Sequence, residues 1–285
     1  MKLRFMAPAL PVFILHPSAL ILPSPMFQTL RSRLVKGERV VVCGIGRVFH
    51  TNFVQCIGVT GGFHGVWIDQ EHCGLTMREL EVACVTCRAA GLDSFVRIAP
   101  TSYAVVTQCL EAGAGGIMAA MVKNAAETEQ IVQWAKFAPR GTRGLNNGGV
   151  DGRFGNMSAK DFCETANRES LVIIQIETAQ AVEEAEAIAA VDGVDMLFIG
   201  PFDLSQAMGV TGDFFHPKCL AAIDKVAAAC KKAGKKWAAL TTTPEHCEML
   251  LEKGCSLITP ASDMRIVNAG IKAIKDNFPQ VFARK

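Results

Sequence analysis

The sequence of 285 residues lacks a long apolar run, a strong excess of either charge and a complete nucleotide-binding loop. No window reaches the roughly 18 uninterrupted apolar residues of a membrane-spanning helix, so we expect no membrane partner. Lysine and arginine together number 29, and aspartate and glutamate 27. Because nucleic-acid binding needs a clustered basic excess, this balance gives no support for a nucleic-acid partner. A hydrophobic share of 50% excludes a disordered or collagen-like chain.

Several common catalytic and cofactor motifs are also missing. The chain contains neither a GxSxG nucleophile elbow nor a Walker phosphate loop. The turn Gly44-Ile45-Gly46 follows a predicted strand but lacks the third glycine of a dinucleotide-binding loop. Cys84 and Cys87 form one CxxC pair inside a predicted helix, and without a second pair we expect no zinc site there.

The cysteines indicate the compartment. There are 11 of them, an odd number that does not suit a disulfide framework. Several lie inside apolar segments, where buried free thiols are expected: Cys43, Cys56, Cys84, Cys109 and Cys230. Free thiols are typical of a reducing environment, so we expect a cytoplasmic protein.

Residues 1–25 differ from the rest of the chain. They contain two basic residues and no acidic one, so residues 26–285 carry 27 basic and 27 acidic side chains. The segment resembles a signal peptide, but prolines interrupt its apolar part and the cleavage site is poorly defined. We interpret residues 1–25 as a disordered or mis-assigned leader before a start at Met26. A structured arm and an export signal are the alternatives.

Beyond Met26, short apolar runs alternate with helical patterns. The strands are predicted at 39–45, 65–69, 93–98, 115–120, 171–177, 195–199, 236–241 and 255–259. Helices are predicted near 50–60, 76–90, 103–112, 125–137, 178–190, 216–233, 243–253 and 263–277. Strands that are apolar throughout are typical of a parallel sheet buried on both faces. Eight strand–helix units predict one (β/α)₈ barrel over residues 26–285, with an open doubly wound sheet as the competitor.

The segment 139–158 is the one long irregular stretch in this pattern. It is rich in glycine, and it is too long for an ordinary connection between a helix and a strand. Segments of this kind are usually covers of an active site or disordered spacers, and we expect one of these here.

Polar residues concentrate at the predicted carboxyl ends of the strands, where barrel enzymes place their chemistry. Six of them should share one rim: Asp69, His72, Arg97, Gln175, Glu177 and Asp203. Glu177 and Asp203 are oxygen ligands suited to Mg²⁺ or Mn²⁺, with water and a chelating substrate completing the coordination. Alternatively, each carboxylate caps the helix that follows it.

The other rim residues suit acid–base chemistry and anion binding. Asp69 could orient His72 as a general base. Arg97 could stabilise an oxyanion or bind a substrate carboxylate, or form a structural ion pair with Glu71. The turn from Gly200 to Phe202 could bind a carboxylate through backbone N–H groups.

Lys123 follows the fourth predicted strand and could form a Schiff base at the same rim. Its surroundings are also typical of a solvated entrance to a helix. The sequence therefore leaves a covalent, metal-independent route open as an alternative.

With these motifs, the chain resembles the HpcH/HpaI family of metal-dependent pyruvate aldolases over roughly residues 28–275. The resemblance rests on WIDQEHCG (67–74), VRI with Arg97, GAGGIMAAMVKNAAE (113–127), APRGTRG (138–144), QIET (175–178) and GPFDLSQAMG (200–209). The order DxEH, IET, GPxDLS is the specific feature. Ala119-Ala120 depart from the family pattern, as do the segment 145–158 and the first 25 residues.

The resemblance implies reversible cleavage of 2-keto-4-hydroxy acids to pyruvate and an aldehyde through a metal-stabilised pyruvate enolate. Glu177 and Asp203 would ligate Mg²⁺, Mn²⁺ or Co²⁺ beside Gln175, His72 with Asp69 would be the base, and Arg97 would stabilise the enolate. The last helix would be exchanged between subunits, commonly in a hexamer or trimer of dimers.

Three alternatives stay open. One is an enzyme similar to the citrate lyase β subunit or malyl-CoA lyase. Another is an oxaloacetate decarboxylase or an enzyme similar to macrophomate synthase. The third is a non-catalytic barrel that serves in assembly.

Overall fold

Eight apolar segments form β-strands in the computed structural model, which describes residues 28–282. They are β1 (Val40–Ile45), β2 (Gly65–Asp69), β3 (Asp93–Ile98), β4 (Gly116–Ala119), β5 (Leu171–Ile176), β6 (Met196–Ile199), β7 (Lys236–Leu240) and β8 (Leu257–Ser262). Neighbouring strands pair in parallel and in chain order, and β8 closes on β1. The predicted (β/α)₈ barrel is therefore confirmed over the open sheet. The predicted leader, residues 1–25, lies outside the described residues.

Helices surround the barrel and connect its strands. They are α1 (Leu30–Val35), α2 (Thr51–Thr60), α3 (Met77–Ala89), α4 (Tyr103–Glu111), α5 (Ala125–Ala135), α6 (Ala159–Glu169), α7 (Ala179–Glu183), α8 (Ala185–Ala190), α9 (Pro201–Ala207), α10 (Pro217–Ala233), α11 (Pro244–Glu252), α12 (Asp263–Asn277) and α13 (Pro279–Phe282). Thr76 and Glu79 form the capping box that opens α3. Within residues 28–282, none of these helices is long and apolar enough to cross a membrane.

Two hydrophobic layers explain why the strands are apolar on both faces. The outer layer lies between the sheet and the helices and includes Val66, Val96 and Ile174. The inner layer fills the barrel and includes Trp67 and Phe198, whose rings meet edge to face at 5.5 Å. Each strand contributes alternate residues to the two layers, so the interior is a packed core with its chemistry confined to the rim.

The helix α1, which the sequence pattern did not predict, closes the amino-terminal end of the barrel. Leu30 and Leu34 belong to the inner hydrophobic layer. The Leu30 N–H donates to the buried carboxylate of Asp93 at 2.7 Å. The helix has only six residues, which is too short for a visible apolar periodicity.

The helix α6 was missed for a different reason. Its eleven residues are mostly polar, and only Phe162 is buried. The helix predicted over 178–190 is interrupted at Glu184, so that α7 and α8 form in its place.

The interpretation of segment 139–158 as a disordered spacer is wrong, because specific contacts hold the segment; its role as a cover of the active site stays a prediction. Within it, Arg143 and Asp151 form an ion pair of 2.6 Å in which the arginine side chain is 1% exposed. The Val150 N–H donates to the carbonyl of Glu111, the last residue of α4. Because α4 leads into the amino end of β4, this contact lies at the end of the barrel opposite the rim. The Gly144 N–H donates to the hydroxyl of Tyr103, the first residue of α4, at 2.6 Å, so the segment contacts both ends of this helix.

Candidate active site

The carboxyl ends of β2, β3, β5 and β6 bring the predicted polar residues to one rim. Asp69 ends β2 and pairs in register with Arg97 of β3. Gln175 lies in β5, Glu177 follows that strand directly, and Asp203 lies in the first turn of α9 after β6. Since all eight strands are parallel, these ends share one face of the barrel. This placement is the one that the sequence predicted.

Arg97 is the centre of an ion-pair cluster on this rim. Its Nε and Nη2 donate to the two oxygens of Asp69 at 3.0 and 2.7 Å. Its Nη1 lies 3.2 Å from Oε2 of Glu71, and its guanidinium lies 4.7 Å from the centre of the Trp67 ring. The Arg97 side chain is only 8% exposed. The carboxylates of Asp69 and Glu71 therefore balance the positive charge of the buried Arg97 guanidinium.

The charges of this cluster shift the pKa values of both acids. Burial by itself raises the pKa of Asp69, but the hydrogen bond and the charge of Arg97 outweigh it and hold the pKa below its ordinary value. Burial raises the pKa of Glu71, and the charges of Arg97 and His72 only partly oppose it. Asp69 is thus the firmly ionised partner of the arginine.

The surroundings of His72 differ from the expected Asp69–imidazole pair. Asp69 Oδ1 accepts the backbone N–H groups of Glu71 and His72 at 3.0 and 3.3 Å, so it shapes the loop. The imidazole Nε2 lies 3.7 Å from Oε2 of Glu71. At 58% exposure the His72 side chain opens to the rim. The carboxylate beside the ring is therefore that of Glu71.

Glu177 is the most deeply buried acid of the rim, at 2% exposure. Its Oε1 accepts the backbone N–H of Met121 at 2.7 Å, and its Oε2 accepts from the amide of Gln175. Burial, together with the charges of Glu71 and Asp203, raises its pKa to about 7. The site thus gathers negative charge that has no cation close enough to neutralise it fully.

Gly200 gives the Glu177 carboxylate its space. A Cβ on Gly200 would lie 2.7 Å from Nε2 of Gln175 and 2.9 Å from Oε2 of Glu177. An alanine at this position would therefore push the ends of the Gln175 and Glu177 side chains aside. The following residues begin α9, where Asp203 is half-buried and the ring of Phe202 is 57% exposed.

The donor set fits a hard divalent cation. Within residues 28–282, no group of three or more His, Cys, Asp or Glu side chains is arranged to hold a metal ion. The carboxylates of Glu177 and Asp203 are oxygen ligands of the kind that such a cation prefers, and two charged protein ligands would leave its coordination sphere open. Gln175 Oε1 is buried and has no hydrogen-bond partner among the described residues, so a further acceptor lies beside Glu177.

Met121 is a functional position that the sequence reasoning missed. It has a φ of 58°, in the left-handed region that non-glycine residues rarely adopt. This conformation accompanies the hydrogen bond from its N–H to Glu177. A backbone donor leaves no side-chain signal, so no sequence pattern could have found it.

The neighbouring Lys123 is exposed and donates its backbone N–H to Glu127 in the entrance of α5, as expected for a solvated helix start.

Comparison with known proteins decides the family. Residues 60–269 match the model of the family described as HpcH/HpaI aldolase/citrate lyase. The chain belongs to this family. It is 34% identical over 206 residues to a 2-dehydro-3,6-dideoxy-6-sulfogluconate aldolase of Pseudomonas putida, covering 72% of this chain and 80% of that protein. Against a hydroxypyruvate/pyruvate aldolase of Cupriavidus necator it is 29% identical, covering 80% and 84%.

A solved structure supports the same assignment. The HpcH/HpaI aldolase from Desulfitobacterium hafniense DCB-2 superposes with a TM-score of 0.81 at 29% identity. The match covers 87% of this chain and 96% of that one. This HpcH/HpaI family member is therefore an enzyme of the carbon–carbon lyase class with a (β/α)₈ barrel.

Proposed function

We propose that the protein is a divalent-metal-dependent aldolase that reversibly cleaves 2-keto-4-hydroxy acids to pyruvate and an aldehyde. The observation that carries this proposal is the buried Glu177 carboxylate, because burial, and then the charges of Glu71 and Asp203, raise its pKa to about 7. Arg97 only partly neutralises these acids, and a divalent ion would remove the remaining penalty.

Glu177 and Asp203 would hold the ion, which we expect to be Mg²⁺, Mn²⁺ or Co²⁺. When bound, it would supply Lewis-acid polarisation of the keto acid. The protein's own contribution is to position these oxygens. Met121 fixes one oxygen of Glu177 through its backbone N–H, Gln175 contacts the other, and Gly200 leaves the space open.

Arg97 would stabilise the negative charge that develops on the pyruvate half when the C3–C4 bond breaks. A guanidinium has five N–H donors, and Asp69 uses two of them. Nη1 also lies 3.2 Å from Glu71, and the N–H donors that are left would bind a substrate oxygen while the two acids keep the group in place. Such preorganised donors stabilise a developing oxyanion without reorganisation.

His72 would remove the proton from the C4 hydroxyl of the substrate. The ring nitrogen Nε2 faces Glu71, so Glu71 would hold a proton there and leave Nδ1 to accept the substrate proton. In the reverse direction His72 would return the proton to the new hydroxyl. Its exposure allows contact with a substrate at the rim.

The test is aldol addition of pyruvate to a panel of aldehydes, with product mass as the readout. We expect EDTA to abolish the activity and Mg²⁺, Mn²⁺ or Co²⁺ to restore it. Full activity in EDTA, with borohydride trapping of a pyruvate adduct that Lys123→Arg abolishes, would contradict the proposal and support the Schiff base. Turnover of coenzyme A thioesters alone would support the citrate-lyase alternative.

We further propose a homo-oligomer in which the last helix packs against a neighbouring subunit. Of the residues of α12, only Asp263 is buried in the single chain. The helices α12 and α13 and the residue between them instead expose apolar side chains, namely Met264, Ile266, Ile271, Ile274, Phe278, Val281 and Phe282. Such a surface is typical of an interface. The assembly would be a hexamer or a trimer of dimers.

We also propose a cytoplasmic location. All eleven cysteines are free thiols in the structure, and most are buried, but Cys56, which was expected to be buried, is exposed. A reducing compartment keeps them so.

A further inference from the structure

Asp263, the first residue of α12, is a buried acid that the proposed mechanism does not use. It is 4% exposed. Its Oδ2 accepts the backbone N–H groups of Gly46, Arg47 and Val48, in the loop after β1, at 2.9, 2.7 and 2.7 Å. Successive backbone N–H groups that converge in this way form a nest for an anion. A carboxylate from the other end of the chain fills this nest.

The contact differs from ordinary capping of a helix by an acid. An acid in the first turn of a helix interacts with the N–H groups of its own helix. Asp263 does so through Oδ1, which accepts the N–H of Met264 at 2.7 Å. The other oxygen, Oδ2, binds the loop after β1. The same carboxylate therefore holds both its own helix and a loop that is distant in sequence.

The first turn of α12 is fixed from a second side, so that Asp263 is a firm point of attachment. The Oγ of Ser262 accepts the N–H of Arg265 at 3.4 Å. The Arg265 Nη1 and Nη2 donate to the carbonyls of Thr241 and Thr242, which follow β7, at 2.7 and 2.9 Å. The loop after β1 is thus tied to a turn that is itself held by the end of β7.

Gly46 connects this attachment to the loop that carries His72, residues 69–73. A Cβ on Gly46 would lie 3.2 Å from the Cβ of Asp69 and 2.5 Å from the Sγ of Cys73, so its backbone packs closely against both ends of that loop. The Cys73 Sγ lies 3.7 Å from Asp69 Oδ2, and Asp69 Oδ1 accepts the N–H of His72 at 3.3 Å. A shift of Gly46 would therefore shift the loop that holds His72.

From these contacts we propose that Asp263 is a positioning residue for the general base His72. Its carboxylate fixes the loop after β1, and Gly46 in that loop holds the His72 loop at the rim. Asp263 touches no reacting atom and acts through Gly46. This inference rests on the proposed aldolase function, in which His72 moves the substrate proton, and deepens it by adding a residue that orients the base.

The test compares Asp263→Ala with the wild type in aldol addition of pyruvate, with Mn²⁺ and the aldehyde that the wild type uses best. We expect kcat to fall by about tenfold or more, since a small misplacement of a catalytic group has an effect of this size. The KM for pyruvate and the Mn²⁺ affinity in calorimetry should change little, because Glu177 and Asp203 follow β5 and β6, across the barrel from β1. Asp161→Ala, in the exposed first turn of α6, should keep the wild-type kcat.

Rescue by a small anion separates positioning from a general loss of structure. Formate has the carboxylate that Asp263→Ala lacks, and it should occupy the empty nest and restore a large part of kcat. Formamide has nearly the same shape without the charge, so at equal concentration it should restore little. The wild type is measured in both solutions to correct for any direct effect of either compound.

A second readout follows the His72 loop without catalysis. Cys73 is half-buried against Gly46, so we expect Asp263→Ala to speed its alkylation by iodoacetamide, measured by mass spectrometry of peptides, and formate to slow it again. Cys163 in α6 is also half-buried and should react at the wild-type rate in both proteins.

Gly46→Ala tests the same connection if Asp263→Ala does not fold. It keeps the backbone N–H groups of the nest, and its Cβ would push the Cys73 side chain aside. We expect kcat to fall here too, with no rescue by formate because Asp263 still fills the nest. A wild-type kcat in Gly46→Ala would overturn the inference.

The outcomes separate this inference from the function on which it rests. An active wild type whose kcat and Cys73 alkylation are unchanged in Asp263→Ala would overturn the positioning role and leave the aldolase function standing. A loss that formate does not reverse, or an equal rise in the alkylation of Cys163, would show a general loss of structure and also overturn it. A wild type that converts no aldehyde with pyruvate would overturn the function, and Cys73 alkylation would still decide whether Asp263 holds the loop.

Discussion

Replacing Glu177 with glutamine should stabilise the metal-free protein at alkaline pH, although it removes a candidate metal ligand. Glu177 is 2% exposed, and its pKa is raised from 4.5 to about 7 by burial and by neighbouring carboxylates. Because the folded-state pKa is the higher one, the folded chain retains a proton that the unfolded chain releases. The stability that this proton contributes is therefore fully present below pH 4.5 and is lost as the pH rises through about 7.

The size of the effect follows from the same shift. A difference of about 2.5 pKa units, at about 1.36 kcal/mol each, corresponds to about 3 kcal/mol at pH 8. Glutamine has no proton to release, and its carbonyl can still accept the Met121 N–H. Its amide can donate to Gln175 Oε1, which has no partner among the described residues, if the Gln175 amide turns over.

The assay is urea unfolding in EDTA at several pH values between 5 and 8, at one protein concentration. The wild-type free energy of unfolding should fall relative to that of Glu177→Gln by about 2 kcal/mol over this range. Glu248→Gln, on the exposed face of α11, serves as the control for loss of one charge. Parallel curves for wild type and Glu177→Gln would refute the reasoning. Added Mn²⁺ should stabilise the wild type at pH 8 and leave Glu177→Gln unchanged.

Two further predictions concern the space beside the metal ligand and the last helix. Gly200→Ala should lower metal-dependent activity, since the new Cβ would lie 2.9 Å from the Glu177 carboxylate and push it aside, and calorimetry should show weaker Mn²⁺ binding. Ile271→Asp combined with Ile274→Asp should convert the oligomer to smaller species in light scattering. An unchanged mass would contradict the proposed role of α12.

The barrel and its rim could be predicted from the sequence because both depend on local patterns. Apolar runs of four to six residues alternate with segments in which apolar residues recur at helical spacing. This pattern predicts parallel strands that are buried on both faces. The parallel arrangement then places whatever follows each strand at one rim, so Asp69, Arg97 and Glu177 could be assigned to one site without coordinates. Elements without apolar periodicity, α1 and α6, could not be found in this way.

Which groups pair within the rim was decided only by the tertiary structure. The sequence supplied two acids near Arg97 and one histidine, but not which acid faces the imidazole. In the folded chain, Asp69 engages the guanidinium and Glu71 lies beside the ring of His72. The reason is physical: strand order follows from hydrophobic burial, which is averaged over many residues. A side-chain pair depends on rotamers and neighbouring charges that several distant segments set together.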